Sequence, residues 1–150
     1  MEKELLLDKI KGTIYGQAIG DALGLGTEFM DDDEMAWKYP NGINHYNDIY
    51  QDRHRRRWIK GDWTDDTDMM LCIAKAIIKD NGVNYLSIAQ NFKDWLNGEP
   101  MGIGSHTFKV LSVDDYVDQP HEVCVNYCSD NRLIIYRYWP GSNFIEMTVL

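Results

Sequence analysis

Four glycines placed four residues apart, Gly12, Gly16, Gly20 and Gly24, run through a stretch whose apolar residues otherwise keep helical spacing. Leu6, Leu7, Ile10, Ile14, Ala18, Ile19 and Leu23 recur every three or four positions, which predicts a helix from Lys3 to Leu23. Each interior glycine costs a helix roughly 1 kcal/mol against alanine. A whole stripe of them therefore predicts that another backbone packs tightly on that face, as at small-residue helix interfaces. Asp8, Lys9, Lys11 and Asp21 exclude a lipid setting. Close packing accounts for Gly12 and Gly16, but Asp21 sits among Ala22, Leu23 and Gly24, where burial is expected and a charge needs a partner.

A second stretch, "GDWTDDTDMMLCIAK" at 61–75, crowds Thr64, Asp65, Asp66, Thr67 and Asp68 ahead of an apolar helical pattern. One capping side chain suffices to start a helix. Adjacent like charges are destabilising unless something cancels them, and a divalent cation does so most directly. Carboxylates and hydroxyls without neighbouring Cys or His suit magnesium, manganese or calcium over zinc. The competing reading is an overbuilt cap. An EF-hand is excluded because its ligand spacing is missing.

Met69, Met70, Ile73, Ala74, Ile77 and Ile78 then predict a helix ending between Asp80 and Gly82. A third helix carries Tyr85, Ile88, Ala89, Phe92, Trp95 and Leu96 and stops at Gly98 and Pro100. "MGIGSHTFKVL" reads as a glycine-containing loop, with Ser105 capping a short helix through Leu111. Glycines ahead of a helix start can receive anions.

The polar stretch from Met30 to Gly61 has a turn signal at Pro40, Asn41 and Gly42 and poor periodicity, and reads as mostly loop. Its basic run, Arg53 to Arg57, has the charge to hold an anion such as a diphosphate, but such a run is more often a solvated face, and it is given no role. "NRLIIYRYW" and "NFIEMTVL" are β-branched and aromatic around Pro140 and Gly141, which suits a hairpin. The expected organisation is all-α over residues 1–120, followed by an atypical tail at 121–150 that packs poorly, since an isolated hairpin is marginal in water. A chain of 150 residues, 44% hydrophobic, suffices for one domain with a core. Its net charge of −9 argues against nucleic acid and anionic membranes as partners. "MEKELLLDKIKG" has neither a signal-type apolar region nor a membrane span, so the expected location is the cytoplasm. Cys72, Cys124 and Cys128 lack metal-type spacing and read as buried thiols; a zinc site using Cys124, Cys128 and His121 lacks a fourth ligand.

"YGQAIGDALGLGTEF" followed by "GDWTDDTDMML" and then "GIGSHT" resembles the ADP-ribosylglycohydrolase family, which includes the dinitrogenase reductase activating glycohydrolases. All three segments stand in the family's order, covering residues 10–120. The resemblance implies the N-terminal portion of an all-α fold that holds two magnesium or manganese ions and hydrolyses the bond joining ADP-ribose to a protein side chain or small acceptor. By position, Thr64, Asp65 and Asp66 would be metal ligands and Glu28 the catalytic carboxylate. Asp21 would be a buried structural partner, and Gly102, Gly104 and Ser105 would line the substrate. An oxocarbenium-like transition state explains the need for a carboxylate near the anomeric carbon and a controlled water. Glu28 and Thr64 to Asp66 are therefore expected to face one cleft.

Family members are longer and carry a further Asp-x-Asp-Ser/Thr ligand set in their second half. "DDD" at 31–33 comes too early to supply it, and Gly102 stands where one branch of the family has Asp. Two readings follow. One is a glycohydrolase, in minimal form or with a second chain completing the site. The other is a truncated or degenerate member that has no activity of its own and acts at most as a weak metal- or partner-binding module.

Overall fold

In the computed structural model, which describes residues 2–131, α1 runs Glu2–Gly24, one residue beyond the expected helix at each end. Most of it projects from the body, with Leu6, Ile10, Ile14 and Ile19 exposed. The packing expected at the glycine stripe is absent among the described residues: a Cβ at Gly12, Gly16, Gly20 or Gly24 would meet nothing within 4 Å. No described element reaches that face, and Gly16, Gly20 and Gly24 instead border an open cleft. Packing begins at the last turn, where Ala22 is buried and α1 meets α3, Asp65–Asp80.

The stretch expected to be mostly loop contains α2, Asp32–Lys38. Asp31 caps it by accepting the Glu34 N–H at 2.7 Å, three acids occupy its first turn, and Lys38 pairs with Glu34 at 2.7 Å. Acids near the positive end of a helix and an i,i+4 pair stabilise a helix that lacks an apolar stripe. Tyr39, buried, donates its hydroxyl proton to the Gly26 carbonyl and accepts the Tyr50 N–H, each at 2.9 Å. These bonds pin the following chain to the end of α1.

The solvated reading of the basic run holds for Arg53, Arg56 and Arg57 but fails for Arg55, which is 3% exposed. Its Nε donates to the carbonyls of Leu25 at 2.9 Å and Gly26 at 3.0 Å, and its terminal nitrogens donate to the Asp52 carboxylate and the Glu28 carbonyl. A buried guanidinium is tolerated because these groups take up its donors. Burial pushes the Asp52 carboxyl up, yet the Arg55 N–H, the guanidinium charge and the His54 N–H outweigh burial and hold it below its ordinary 3.8. A carboxyl more acidic in the folded chain contributes stability above its ordinary pKa, and this is lost as pH falls through that value and below. Asp52→Asn is expected to lower stability by about 1 kcal/mol at neutral pH. The gap between the two thermal melts should narrow below about pH 4; a gap that stays constant with pH would refute the linkage.

Helix α3 ends at Asp80, within the expected span from Asp80 to Gly82, and its cap residue Asn81 takes the left-handed conformation at φ 53°. Helix α4, Tyr85–Asn97, starts where Asn84 accepts the N–H groups of Leu86 and Ser87. It packs along α3, with Cys72 buried and Asn91 Nδ2 donating to the Cys72 carbonyl at 2.9 Å. Helix α5 is Ser105–Leu111; Gly104 holds the cap position, so Ser105 is the first helical residue and not the expected cap. The chain from Pro120 to Asn131, where the tail was expected to begin, is α6. Val123, Cys124 and Tyr127 of α6 pack with Phe92 and Trp95 against buried Ala89, Val110, Leu111 and Tyr116. The expected hairpin strands beyond Asn131, Leu133 to Trp139 included, lie outside the described residues. Among the described residues all regular structure is helical, and no helix is long and apolar enough to cross a membrane.

Candidate active site

Asp21, in the last turn of α1, points at the N-terminus of α3. Its Oδ2 accepts the N–H groups of Thr64 and Thr67 at 2.9 and 3.0 Å and the Thr67 hydroxyl at 2.6 Å, while Oδ1 accepts the Thr64 hydroxyl at 2.5 Å. The cap of α3 is therefore supplied by another helix, which satisfies the otherwise unpaired N–H groups of a helix start. Asp68 bridges two indoles, accepting from Trp63 Nε1 at 2.9 Å and Trp95 Nε1 at 3.0 Å. Asp65 Oδ2 accepts the Gly104 N–H at 3.1 Å and draws the glycine loop against α3. The Asp66 carboxylate makes no hydrogen bond to a described residue. The surplus of the acidic cluster thus divides into a clamp, a bridge, and two carboxylates left facing a cleft.

That cleft has a volume of about 920 Å³. Gly16, Gly20 and Gly24 border it on α1, and Thr64, Asp65 and Asp66 on α3. Gly102, Gly104 and Ser105 line another side, Glu28 and Phe29 project from the turn after α1, and Asp21 sits at the junction. The residues that the resemblance implies for the site, Asp21, Glu28, Thr64, Asp65, Asp66, Gly102, Gly104 and Ser105, all line this cleft. Gly102 is required for shape: it has φ 90°, and a Cβ there would come within 2.8 Å of Trp58 Cζ2. Gly102→Ala is expected to cost about 1–3 kcal/mol from the strained backbone and the clash with a buried indole. Urea denaturation would show this as a lowered midpoint, and an unchanged midpoint would contradict it.

Glu28 is half-buried, and its Oε2 lies 2.8 Å from His54 Nε2. The next residue, Phe29, adopts the left-handed conformation at φ 60°, which disfavours side chains. The bonds from Arg55 to the carbonyls of Leu25, Gly26 and Glu28 hold this turn in place. Neither His54 nor Arg55 stood out in the sequence, because a run of basic residues reads the same whether solvated or buried.

Burial holds the Asp65 carboxyl above its usual range; the Gly104 N–H opposes this, while the charges of Asp66 and Asp21 add to it. These donors fit a hard cation in part. The Thr64 hydroxyl gives its proton to Asp21 and keeps lone pairs, Asp65 retains Oδ1, and Asp66 retains both oxygens. They stand on one side only, and among the described residues no group of three or more His, Cys, Asp or Glu side chains is arranged to hold an ion.

The sequence model of the ADP-ribosylglycohydrolase family matches residues 2–132. An ADP-ribosylarginine hydrolase Tri1 of Pseudomonas putida (strain GB-1) is 33% identical over an alignment of 115 residues that covers 72% of this chain and 28% of that protein. The ADP-ribosyl-[dinitrogen reductase] glycohydrolase of Rhodospirillum rubrum is 31% identical over an alignment of 105 residues that covers 65% of this chain and 32% of that protein. The matched part of the chain spans less than a third of the length of either relative. The clamp from Asp21 to the start of α3 and the shared cleft both fall inside the matched residues, and the chain belongs to the ADP-ribosylglycohydrolase family.

Proposed function

We propose that this chain contributes to metal-dependent hydrolysis of the glycosidic bond between ADP-ribose and a protein side chain or small acceptor, in the cytoplasm. The observation that carries the reading is that Glu28 and the carboxylates of Asp65 and Asp66 face one cleft, within the usual size range of small-molecule sites. In this reading Thr64, Asp65 and Asp66 hold magnesium or manganese. When bound, such ions supply positive charge that orients ribose hydroxyls and acidifies a water. Glu28 takes a proton from the water that adds to the anomeric carbon as the bond to the acceptor breaks; the departing acceptor takes up a proton from solvent, and Glu28 returns its own to solvent. Gly102, Gly104 and Ser105 shape the opposite wall, where absent or small side chains let a nucleotide approach the backbone. The test is turnover of ADP-ribosyl-arginine and ADP-ribosyl-serine peptides. Glu28→Gln is expected to lose on the order of a hundredfold or more in kcat, and a variant as active as the parent would remove Glu28 from this role.

A second reading is favoured by the one-sided donor set and by the exposed Leu6, Ile10 and Ile14 on α1. In it the chain is inactive alone, and a second polypeptide, equivalent to the part of the relatives beyond the matched residues, covers α1 and completes the site. Mixing this chain with that part of the Rhodospirillum rubrum enzyme, followed by calorimetry, separates the two. Heat of binding that Ile14→Asp abolishes supports completion in trans, whereas turnover by the chain alone supports the first reading.

A further inference from the structure

We propose that His54 is a positioning residue for Glu28 and that Arg57 fixes its tautomer; the catalytic part of this rests on the role given to Glu28 above. A guanidinium carries only donors, and a terminal nitrogen of Arg57 lies 2.9 Å from His54 Nδ1. Nδ1 is therefore the acceptor, the ring proton sits on Nε2, and Nε2–H donates to Glu28 Oε2 at 2.8 Å. The contact is a hydrogen bond from a ring oriented at both ends, not a surface ion pair, which would constrain little.

The orienting groups are themselves held. Arg57 Nε donates to the His54 carbonyl at 3.2 Å, and its guanidinium lies 4.5 Å from the Trp58 ring centroid. The imidazole stands edge-on to both Phe29 and Trp58, each with centroids 5.2 Å away. The His54 N–H donates to Asp52 Oδ1 at 2.9 Å. Arg55, the next residue, binds the Glu28 carbonyl. One short turn thus grips Glu28 by main chain and side chain together. A glutamate in a surface turn otherwise samples several rotamers. With Oε2 engaged by His54, Oε1 is the oxygen left to act in the cleft, and a proton acceptor in hydrolysis must be within hydrogen-bond reach of its water.

The experiment has one arm that needs no turnover. In the full chain labelled with ¹⁵N-histidine, at about pH 8 and thus above the ordinary imidazole pKa, His54 is expected to show a slowly exchanging ring proton on Nε2. That resonance should vanish in Glu28→Leu, and Arg57→Ala should let the ring populate both tautomers. A ring proton on Nδ1, or an Nε2 proton that exchanges equally fast with Glu28 present and absent, would overturn the proposal. In the turnover arm, His54→Leu should lower kcat on the order of a hundredfold with little change in KM, as misaligned catalytic groups do, and His54→Gln, which keeps a donor at the Nε2 position, should restore most of it. Full activity of His54→Leu would overturn the positioning role. Absence of turnover in the parent chain would count against the glycohydrolase reading and leave the tautomer arm to decide on His54.

Discussion

Asp21→Ala is expected to lower stability by about 3–5 kcal/mol, a large part of the 5–15 kcal/mol that holds an ordinary domain together. Four donors converge on this one carboxylate: the N–H and hydroxyl groups of Thr64 and Thr67. Thr67 is 1% exposed, so water cannot replace the lost acceptor without opening the junction. Bonds to a charged acceptor contribute about 1.5–3 kcal/mol each but share one geometry, so their sum overstates the loss. Asp21→Asn keeps one acceptor oxygen and turns an NH₂ towards donors, which places its cost at about 2 kcal/mol. Urea denaturation followed by far-ultraviolet circular dichroism measures both. An Asp21→Ala variant within about 1 kcal/mol of the parent would mean that the α1 to α3 junction is held by something else. The same substitution should uncouple the site, because Glu28 travels with α1 and Asp65 with α3.

The need for an Asp21 partner was legible in the sequence, and the reason is general. A charge set among small apolar residues has to be paired, and the threonines around Asp65 and Asp66 were numerous enough to supply donors. Helices α1, α3 and α4 were legible from apolar spacing because each is long enough to show a period. Helix α2 was not: seven residues headed by Asp32, Asp33 and Glu34 hold together through end effects that carry no periodicity. Arg55 escaped notice because its partners are the carbonyls of Leu25, Gly26 and Glu28, and backbone acceptors leave no mark in a sequence. The start of α6 was overshadowed by the β-branched run after it, although Pro120 at the first helical position and Val123 and Tyr127 four apart on the core face are helix signals. The glycine stripe misled for a different reason. It specifies close approach without naming what approaches, and here it borders the cleft.

The other large effect concerns metal and rate. Titrated with magnesium or manganese, the chain is expected to bind weakly, with a dissociation constant on the order of a millimolar. Magnesium requires six oxygens in a near-octahedral array and gives up water reluctantly, whereas Thr64, Asp65 and Asp66 approach from one side. Asp66 should matter most, since its carboxylate has both oxygens available, while Asp65 already shares Oδ2 with the Gly104 N–H. Asp66→Ala is accordingly expected to abolish the heat of binding. Asp65→Ala should weaken binding and also loosen the Gly102 to Ser105 wall, visible as faster amide exchange at Gly104. An ion held from one side cannot fix both the ribose and the water, so turnover by the chain alone should fall on the order of a thousandfold below that of the longer relatives. Chelation with EDTA should then remove whatever turnover remains. Micromolar affinity that survives Asp66→Ala would place the metal elsewhere, and rapid turnover abolished by both substitutions would show that these donors suffice.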